Sequence, residues 1–201
     1  MTTETDIAKY FQNTKQLKRY VDILRSKGIE WGLVGPKEAD RIWDRHILNS
    51  LALTDLIPEG SQIADVGSGA GLPGIPLAIV RPDITVTALE PLLRRVNFLT
   101  ETVEELDLTS QFIVNRTRAE DCHDTFDAVV CRAVAPLDRL IRWCHPLLGN
   151  TGILYALKGS SAADEVVKAK PILGKFNLNA EVRTIRAHPG AETTKVVIIK
   201  H

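Results

Sequence analysis

The chain has 201 residues, of which 44% are hydrophobic, and its 25 basic residues balance its 25 acidic ones. This length and apolar content suit one α/β domain with an N-terminal extension, and zero net charge excludes a protein that binds nucleic acid through bulk positive charge. Cys122, Cys131 and Cys144 lack a Cys-x-x-Cys spacing and predict neither disulfides nor zinc. A signal peptide and a membrane span of roughly 20 apolar residues are both missing, so we expect a cytoplasmic protein.

The first sixty residues are predicted to form a helical extension. Residues 6–27 carry apolar side chains at helical spacing. The opposite face is basic and carries Lys15, Lys18, Arg19, Arg25 and Lys27. We interpret that face as either a solvated surface or an edge that contacts phosphates. A second helix is predicted from about Pro36 to Leu56, with Arg41 and Arg45 on neighbouring faces. Its apolar stripe includes His46, which is either a hydrogen-bonded core residue or a ligand contact.

Residues 61–201 alternate strands and helices, which predicts a parallel sheet with helices on both faces. The predicted strands are Gln62–Val66, Ile84–Leu89, Gln111–Asn115, Phe126–Cys131, Gly152–Leu157, Ala180–Ile185 and Lys195–Lys200. Helices are predicted over Leu92–Leu106 and Leu137–Leu148. A short Pro-Gly turn joins the last two strands, so we expect them to pair antiparallel. This order predicts a Rossmann-like α/β fold of the class I methyltransferase type, with a seven-stranded, mostly parallel sheet after the extension of residues 1–60.

A glycine-rich turn follows the first predicted strand. Gly67, Gly69 and Gly71 come directly after it, and Pro73 suits the first turn of a helix. This strand, turn and helix would bring backbone N–H groups close to a ligand. Asp65, at the strand end, would repel a pyrophosphate and attract a cation, which favours S-adenosylmethionine over a dinucleotide. A P-loop is excluded because no Lys follows the glycines at the required position.

Other candidate residues follow the later strands, where ligands bind in such a sheet. Glu90 ends the second strand and is predicted to accept both ribose hydroxyls. The segment 118–121 is interpreted as either an adenine contact or a charged loop. Lys158 ends the fifth strand and is either a phosphate contact or a solvent-facing side chain. Arg94 and Arg95 begin a helix, where cations oppose the helix dipole, so we expect them to face a polyanionic partner.

Arg132 directly follows the fourth strand. Methyltransferases of amino nitrogens often place an Asn/Asp-Pro-Pro-aromatic tetrapeptide at this point, and the chain lacks it. We therefore expect a target nitrogen that carries no hydrogen, such as N7 of guanine, for which Arg is the usual bidentate partner through O6 and N7. Such a nitrogen needs no general base and no metal, so catalysis would come from positioning.

Several stretches resemble the RsmG (GidB) family of bacterial methyltransferases. They are Trp-Asp-Arg-His-Ile-Leu-Asn-Ser (43–50), Asp-Val-Gly-Ser-Gly-Ala-Gly-Leu-Pro-Gly-Ile-Pro (65–76), Arg-Ala-Glu (118–120), Arg-Ala-Val-Ala (132–135) and Tyr-Ala-Leu-Lys-Gly (155–159). The resemblance covers nearly the whole chain, and Asn49 stands where many members carry Asp. It implies transfer of a methyl group from S-adenosyl-L-methionine to N7 of guanine 527 in 16S rRNA. Loss of that methyl mark is associated in the family with low-level streptomycin resistance.

The resemblance also implies site residues, which add to those expected from the strand ends. Substrate would be positioned by Arg118 and Arg132. For the cofactor, with S-adenosyl-L-homocysteine as its product, the resemblance implies Gly67, Leu72, Ala119, Glu120 and Arg132, which join Asp65, Gly69, Gly71 and Glu90 from the glycine turn and the strand end. For RNA it implies Arg118 and Lys158, which join Arg45, Arg94 and Arg95 from the predicted helices.

The expected partner is 16S rRNA, within the 30S subunit or its precursor, and we expect a monomer without metal. Three alternatives stay open at this point. The chain could be a small-molecule methyltransferase, which would not need the basic first helix. It could be a ribosome-assembly factor that binds the cofactor without turnover. A nicotinamide dehydrogenase is disfavoured by Asp65.

Overall fold

The structure is a computed structural model that describes residues 7–201, so the predictions on residues 1–6 lie outside the described residues. Its strands are β1 (Gln62–Val66), β2 (Thr85–Leu89), β3 (Phe112–Asn115), β4 (Ala128–Arg132), β5 (Ile153–Lys158), β6 (Asn179–Ile185) and β7 (Thr194–Lys200). They form one seven-stranded sheet in the order β3-β2-β1-β4-β5-β7-β6. The first five strands are parallel, and β7 is antiparallel to both β5 and β6. The predicted Rossmann-like sheet and its antiparallel last pair are confirmed.

The helices on the sheet largely follow the predicted pattern. They are α1 (Thr14–Ile23), α2 (Asn49–Leu51), α3 (Gly74–Val80), α4 (Leu93–Glu105), α5 (Leu137–Cys144) and α6 (Ala162–Lys175). Two of them, α4 and α5, confirm predicted helices, and α5 continues into a 3-10 turn at His145–Leu148. Between β3 and β4 the regular alternation fails, because only a 3-10 turn at Ala119–Asp121 joins them. Within residues 7–201, no helix is both long enough and apolar enough to span a membrane.

The N-terminal helices are shorter and less regular than predicted. Asn13 adopts a left-handed conformation (φ 56°) and α1 begins at the next residue, so the helix does not extend back to residue 6. At its other end α1 passes into a π-helical turn, Leu24–Gly28. The second predicted helix is instead a 3-10 turn at Pro36–Arg41, a wider π turn at Trp43–Leu48, and α2.

The hydrophobic core has one layer on each face of the sheet. On one face, buried side chains of the extension such as Leu17 and Leu51 join those of α3, α4 and the sheet in a single cluster. On the other face, α5 and α6 pack on alternate strand residues, for example Val129 and Val197. The extension therefore packs directly on the sheet. The division into residues 1–60 and 61–201 stays a prediction.

Two residues of the predicted basic face, Arg19 on α1 and Lys27 in the π turn after it, lie against the C-terminal end of α4. Lys27 forms ion pairs with Glu101 and Glu105, at 3.6 and 3.1 Å. Arg19 pairs with Asp107 at 3.3 Å. Because these cations have carboxylate partners within the chain, the geometry favours a solvated, internally paired surface over a phosphate-contacting edge. Exposed pairs of this kind are each worth only about 0–1 kcal/mol.

The turn between β1 and α3 needs glycine at two kinds of position. Gly71 has a φ of +94°, which side chains rarely adopt, and a Cβ there would lie 2.3 Å from Cδ1 of Ile75. Gly74 is restricted by space alone, because a Cβ there would lie 2.5 Å from Oδ2 of Asp65. The same oxygen accepts a hydrogen bond from the Gly74 N–H at 3.1 Å, so Asp65 caps the start of α3.

Substitution of Gly74 by Ala tests this close contact. The added methyl group would push against the buried Asp65 carboxylate, so we expect the free energy of unfolding to fall by about 1–3 kcal/mol. Gly174→Ala is the matched control, because Gly174 lies in α6 with no atom within 4 Å of its Cβ position. That control should be neutral or stabilising by about 0.5–1 kcal/mol. Equal urea midpoints for the two variants would contradict the tight packing at Gly74.

Candidate functional site

Two clefts open at the carboxyl ends of the parallel strands, where the sheet order reverses between β1 and β4. Cleft A has a volume of about 280 Å³ and is lined by residues that include Gly67, Glu90, Leu92, Glu120, Val134 and Trp143. Cleft B has a volume of about 780 Å³ and is lined by residues that include Glu38, His46, Arg132, Val134, Lys158 and Lys168. Val134 lines both clefts, so they adjoin at this side chain.

The structure brings most of the predicted site residues to these two clefts. Cleft A is lined by Gly67, Glu90, Arg95, Arg118, Ala119 and Glu120. Cleft B is lined by Arg45, Arg132 and Lys158. Neither cleft is lined by Asp65, Gly69, Gly71 or Leu72, which lie in or beside the glycine turn. Arg94 lies in a separate hollow with Trp31. The binding roles of all these residues stay predictions.

Glu90 ties the glycine turn to the loop after β2. Its side chain is 1% exposed. One carboxylate oxygen accepts the Gly69 N–H and the other accepts the Leu92 N–H, both at 3.0 Å. Arg95 lies 3.7 Å away and adds an ion pair. Since each carboxylate oxygen has a second lone pair, Glu90 still has acceptor capacity for two ligand hydroxyls in cleft A.

The sequence predicts that the Asp65 carboxylate lies at the ligand, but the structure places it elsewhere. It is fully buried, and its Oδ2 is used to cap α3 through the Gly74 N–H. Its Oδ1 has no hydrogen-bond partner. Burial raises the pKa of Asp65 to about 7, because an ionised carboxylate is poorly solvated there. The geometry therefore supports an indirect role, in which Asp65 fixes the turn rather than contacting a ligand.

Arg132 lies in cleft B and is held by the N-terminal extension. Its Nη1 donates to the backbone carbonyl of Arg45, at 3.1 Å, within the π turn. Glu38 accepts hydrogen bonds from Arg45 at 3.0 Å and from His46 at 2.7 Å. Burial, followed by the nearby charge of Arg132, lowers the pKa of His46, so its imidazole is neutral at pH 7. His46 is therefore both hydrogen-bonded and part of a cleft wall.

The loop after β4 carries the residue that both clefts share. Ala133 has a φ of +52°, which is uncommon for a residue with a side chain. Next to it, Val134 packs over Gly67, where a Cβ would lie only 3.0 Å from both Val134 methyl groups. Lys158 is 8% exposed and donates to the Ala135 carbonyl at 2.7 Å. It also pairs with Glu165 at 2.8 Å, so it is not a solvent-facing side chain, and its contact with a phosphate stays a prediction.

Sequence reasoning missed several of these residues. Glu38 and Glu165 were not singled out, although each pairs with a predicted basic residue. Val134 and Trp143 were also not singled out, because an apolar residue gives no sign in the sequence that it lines a cleft. In the part of the chain that the structure describes, no group of three or more His, Cys, Asp or Glu side chains could hold a metal ion.

The sheet order and the two clefts at its switch point define a Rossmann-like α/β protein. Solved structures share this fold. One is M. jannaschii TYW2 in complex with AdoMet, with a TM-score of 0.56, 21% identity, and coverage of 74% of this chain and 70% of that one. Another is the B. subtilis M1A22 tRNA methyltransferase TrmK, with a TM-score of 0.59, 15% identity, and coverage of 78% and 65%.

Sequence comparison identifies the family. The family model "GidB: rRNA small subunit methyltransferase G" matches residues 13–184. Ribosomal RNA small subunit methyltransferase G of Mycolicibacterium paratuberculosis is 52% identical over 171 residues, which cover 84% of this chain and 68% of the relative. The protein of the same name from Kineococcus radiotolerans is 46% identical over 185 residues, with coverage of 90% and 73%. The chain belongs to the rRNA small subunit methyltransferase G family.

Family membership confirms two predictions from the sequence. The chain belongs to the family that its motifs resemble. Members of this family are methyltransferases that act on rRNA of the small ribosomal subunit. Its members depend on S-adenosylmethionine, which is the cofactor that the glycine turn and Asp65 led us to expect.

The raised pKa of Asp65 predicts a specific pH dependence of stability. Between about pH 4 and pH 7 the folded state binds a proton at Asp65 that the unfolded state has released. The free energy of unfolding should therefore fall as pH rises through this window, by up to about 1.4 kcal/mol per pH unit. Asp65→Asn removes this term, so we expect a flatter pH profile in urea unfolding.

Asp83 provides a control of opposite sign. A hydrogen bond from Arg81 lowers the pKa of Asp83, so its ionised form stabilises the fold above the unfolded pKa of an aspartate. Asp83→Asn should therefore lose stability at neutral pH and converge with the parent protein in acid. If the free energy of unfolding had the same pH profile in the parent protein and the Asp65→Asn variant, the raised pKa of Asp65 would be refuted.

Proposed function

We propose that the chain transfers a methyl group from S-adenosyl-L-methionine to N7 of guanine 527 in 16S rRNA. The substrate would be the 30S subunit or its precursor, the enzyme would act as a monomer, and both would be in the cytoplasm. The observation that supports this most strongly is that clefts A and B meet at Val134. Two ligands can therefore lie side by side there, as a direct transfer between them requires.

Cleft A fits the nucleoside part of the methyl donor. We propose that Glu90 accepts the ribose hydroxyls with its remaining lone pairs, while Gly67 leaves room for close backbone approach. Leu92, which is 53% exposed, and Trp143 would flank the flat adenine ring, with Ala119 and Glu120 at its edge. Gly69, Gly71 and Leu72 would shape the turn. When bound, S-adenosyl-L-methionine supplies an electrophilic methyl group on a positively charged sulfur.

Cleft B is proposed to bind the guanine. N7 has a lone pair and no hydrogen, so the residues around it need to orient the base and do not need to remove a proton. A hydrogen bond from Arg132 to N7 would block that lone pair. We therefore narrow the bidentate contact expected from the sequence: Arg132 would donate to O6 alone, through N–H groups that the Arg45 carbonyl does not use.

The RNA would reach cleft B as a splayed nucleotide, because a base must leave its stack to enter a protein cleft. Arg45 and Lys168 at cleft B, and Arg95 and Arg118 at cleft A, are proposed to contact phosphates. Arg94 would extend this surface. Lys158 is left out of the set because its side chain is only 8% exposed and its ammonium group already has two acceptors.

The test is to map methyl groups on 30S particles from a strain that lacks this gene. Incubation with the protein and labelled S-adenosyl-L-methionine should add one methyl group per particle, at N7 of guanine 527. Glu90→Ala is the control, since it removes the acceptors proposed for the ribose and should abolish transfer. Methylation of another nucleotide, transfer to small metabolites alone, or 30S binding without transfer would each refute the proposed function.

A further inference from the structure

We infer that Lys158 and Glu165 are positioning residues whose ion pair holds the Ala133–Pro136 loop, and thereby Val134, between cleft A and cleft B. This inference rests on the proposed function. It adds a role for Glu165, and it reassigns Lys158 from the RNA surface to the interior of the site.

The loop needs external support to keep its shape. Ala133 has a left-handed backbone conformation, which is unfavourable for a residue with a Cβ. Ala133 and Pro136 are exposed, and Val134 and Ala135 are only half-buried, so packing alone holds the loop weakly. Such a conformation persists when the surrounding contacts determine it. The contacts that do so come from β5 and α6.

The ion pair binds the C-terminal part of this segment, at Ala135, and the residue that follows it, Leu137. Lys158 Nζ, on β5, donates to the Ala135 carbonyl at 2.7 Å and to Glu165 Oε2 at 2.8 Å. The same Glu165 oxygen accepts the backbone N–H of Leu137 at 2.9 Å, at the start of α5. Ser161 donates to the other oxygen of Glu165 at 3.1 Å. Strand β5, the loop, α5 and α6 are thus joined at one carboxylate.

The charges in this cluster match a fixed structural role. Burial acts to raise the pKa of Glu165, but hydrogen bonds from Lys158, Ser161 and the Leu137 N–H outweigh it and lower that pKa. The carboxylate therefore stays ionised and paired at neutral pH. Lys158 could reach a phosphate only by breaking this buried pair, whereas Lys168 lines the same cleft with an exposed side chain.

The position of Val134 affects the proposed methyl transfer, because its side chain forms the wall between cleft A and cleft B. Its methyl groups already lie close to Gly67, so a shift of the loop would change the width of cleft A and cleft B together. Misplacement of reacting groups by about 1 Å can cost on the order of 100-fold in rate. A looser loop should therefore lower kcat more than it weakens RNA binding.

The test compares Lys158→Met, Glu165→Met and the double variant on 30S particles. Each single variant leaves a buried charge unpaired and can lose stability, whereas the double variant removes both charges and keeps apolar volume. We expect the double variant to fold and to lower kcat by roughly 10- to 100-fold. Its KM for 30S particles should change less than twofold. Its kcat should be no lower than that of the less active single variant.

Salt dependence separates positioning from RNA contact. Lys158→Met should leave the slope of log affinity against log salt unchanged, while Lys168→Met should reduce it by about 0.7, the value for one contact on single-stranded nucleic acid. Lys170→Met, on the same helix and exposed, serves as a control expected to change neither slope nor rate. A flatter slope for Lys158→Met would overturn the inference, as would a double variant with unchanged kcat.

Hydrogen exchange provides a readout that does not need activity. The Leu137 amide should exchange at least about tenfold faster in the double variant, because its N–H loses the Glu165 carboxylate as acceptor. Unchanged exchange would contradict the inference that the Lys158–Glu165 ion pair holds the loop. Failure of the unmodified protein to methylate 30S particles, together with faster exchange in the double variant, would refute the proposed function. That result would leave the structural role of the ion pair supported.

Discussion

The reversal of strand order between β1 and β4 is the constraint from which the two clefts follow. Crossover connections leave these neighbouring strands in opposite directions, so no chain covers their carboxyl ends. The glycine turn after β1 and the loop after β4 face each other across this gap, with Val134 packed over Gly67. A direct transfer between two ligands needs such a gap, because both must enter from solvent and still come into contact.

Buried and half-buried carboxylates organise the site by accepting backbone N–H groups. Glu90 binds two N–H groups and joins the turn to the loop after β2. Asp65 caps α3, and Glu165 caps the start of α5. Each of these carboxylates accepts hydrogen bonds from backbone N–H groups that would otherwise have no partner. A fold with several strand-to-loop junctions has many such N–H groups, and each needs an acceptor.

The fold and the family could be predicted from the sequence because their signals are local. Apolar runs, glycines and a Pro-Gly turn predicted the positions of the strands along the chain and the antiparallel last pair, whereas the spatial order of the strands came from the structure. The pairing of Glu38 with Arg45 and His46 could not be predicted. In a regular α-helix, residues seven or eight apart lie roughly 11–12 Å from each other along the axis. They meet here because 3-10 and π turns replace the predicted helix.

Burial was the other quantity that the sequence did not reveal. Asp65 and Lys158 stand at strand ends, where a ligand contact is a reasonable expectation, yet both are turned to internal partners. The partner of Lys158 lies on α6, which no sequence signal connected to that strand. The pairing became visible only once the packing of α6 against β5 and the loop was known.

The most direct test of the account is a crystal structure of the protein with S-adenosyl-L-homocysteine. We predict that the adenosyl group lies in cleft A, with both ribose hydroxyls within about 2.6–3.2 Å of the Glu90 carboxylate. The sulfur should point past Val134 towards cleft B. A ligand bound in cleft B, or a cleft A that stays empty at saturating ligand, would contradict the assignment of the two clefts.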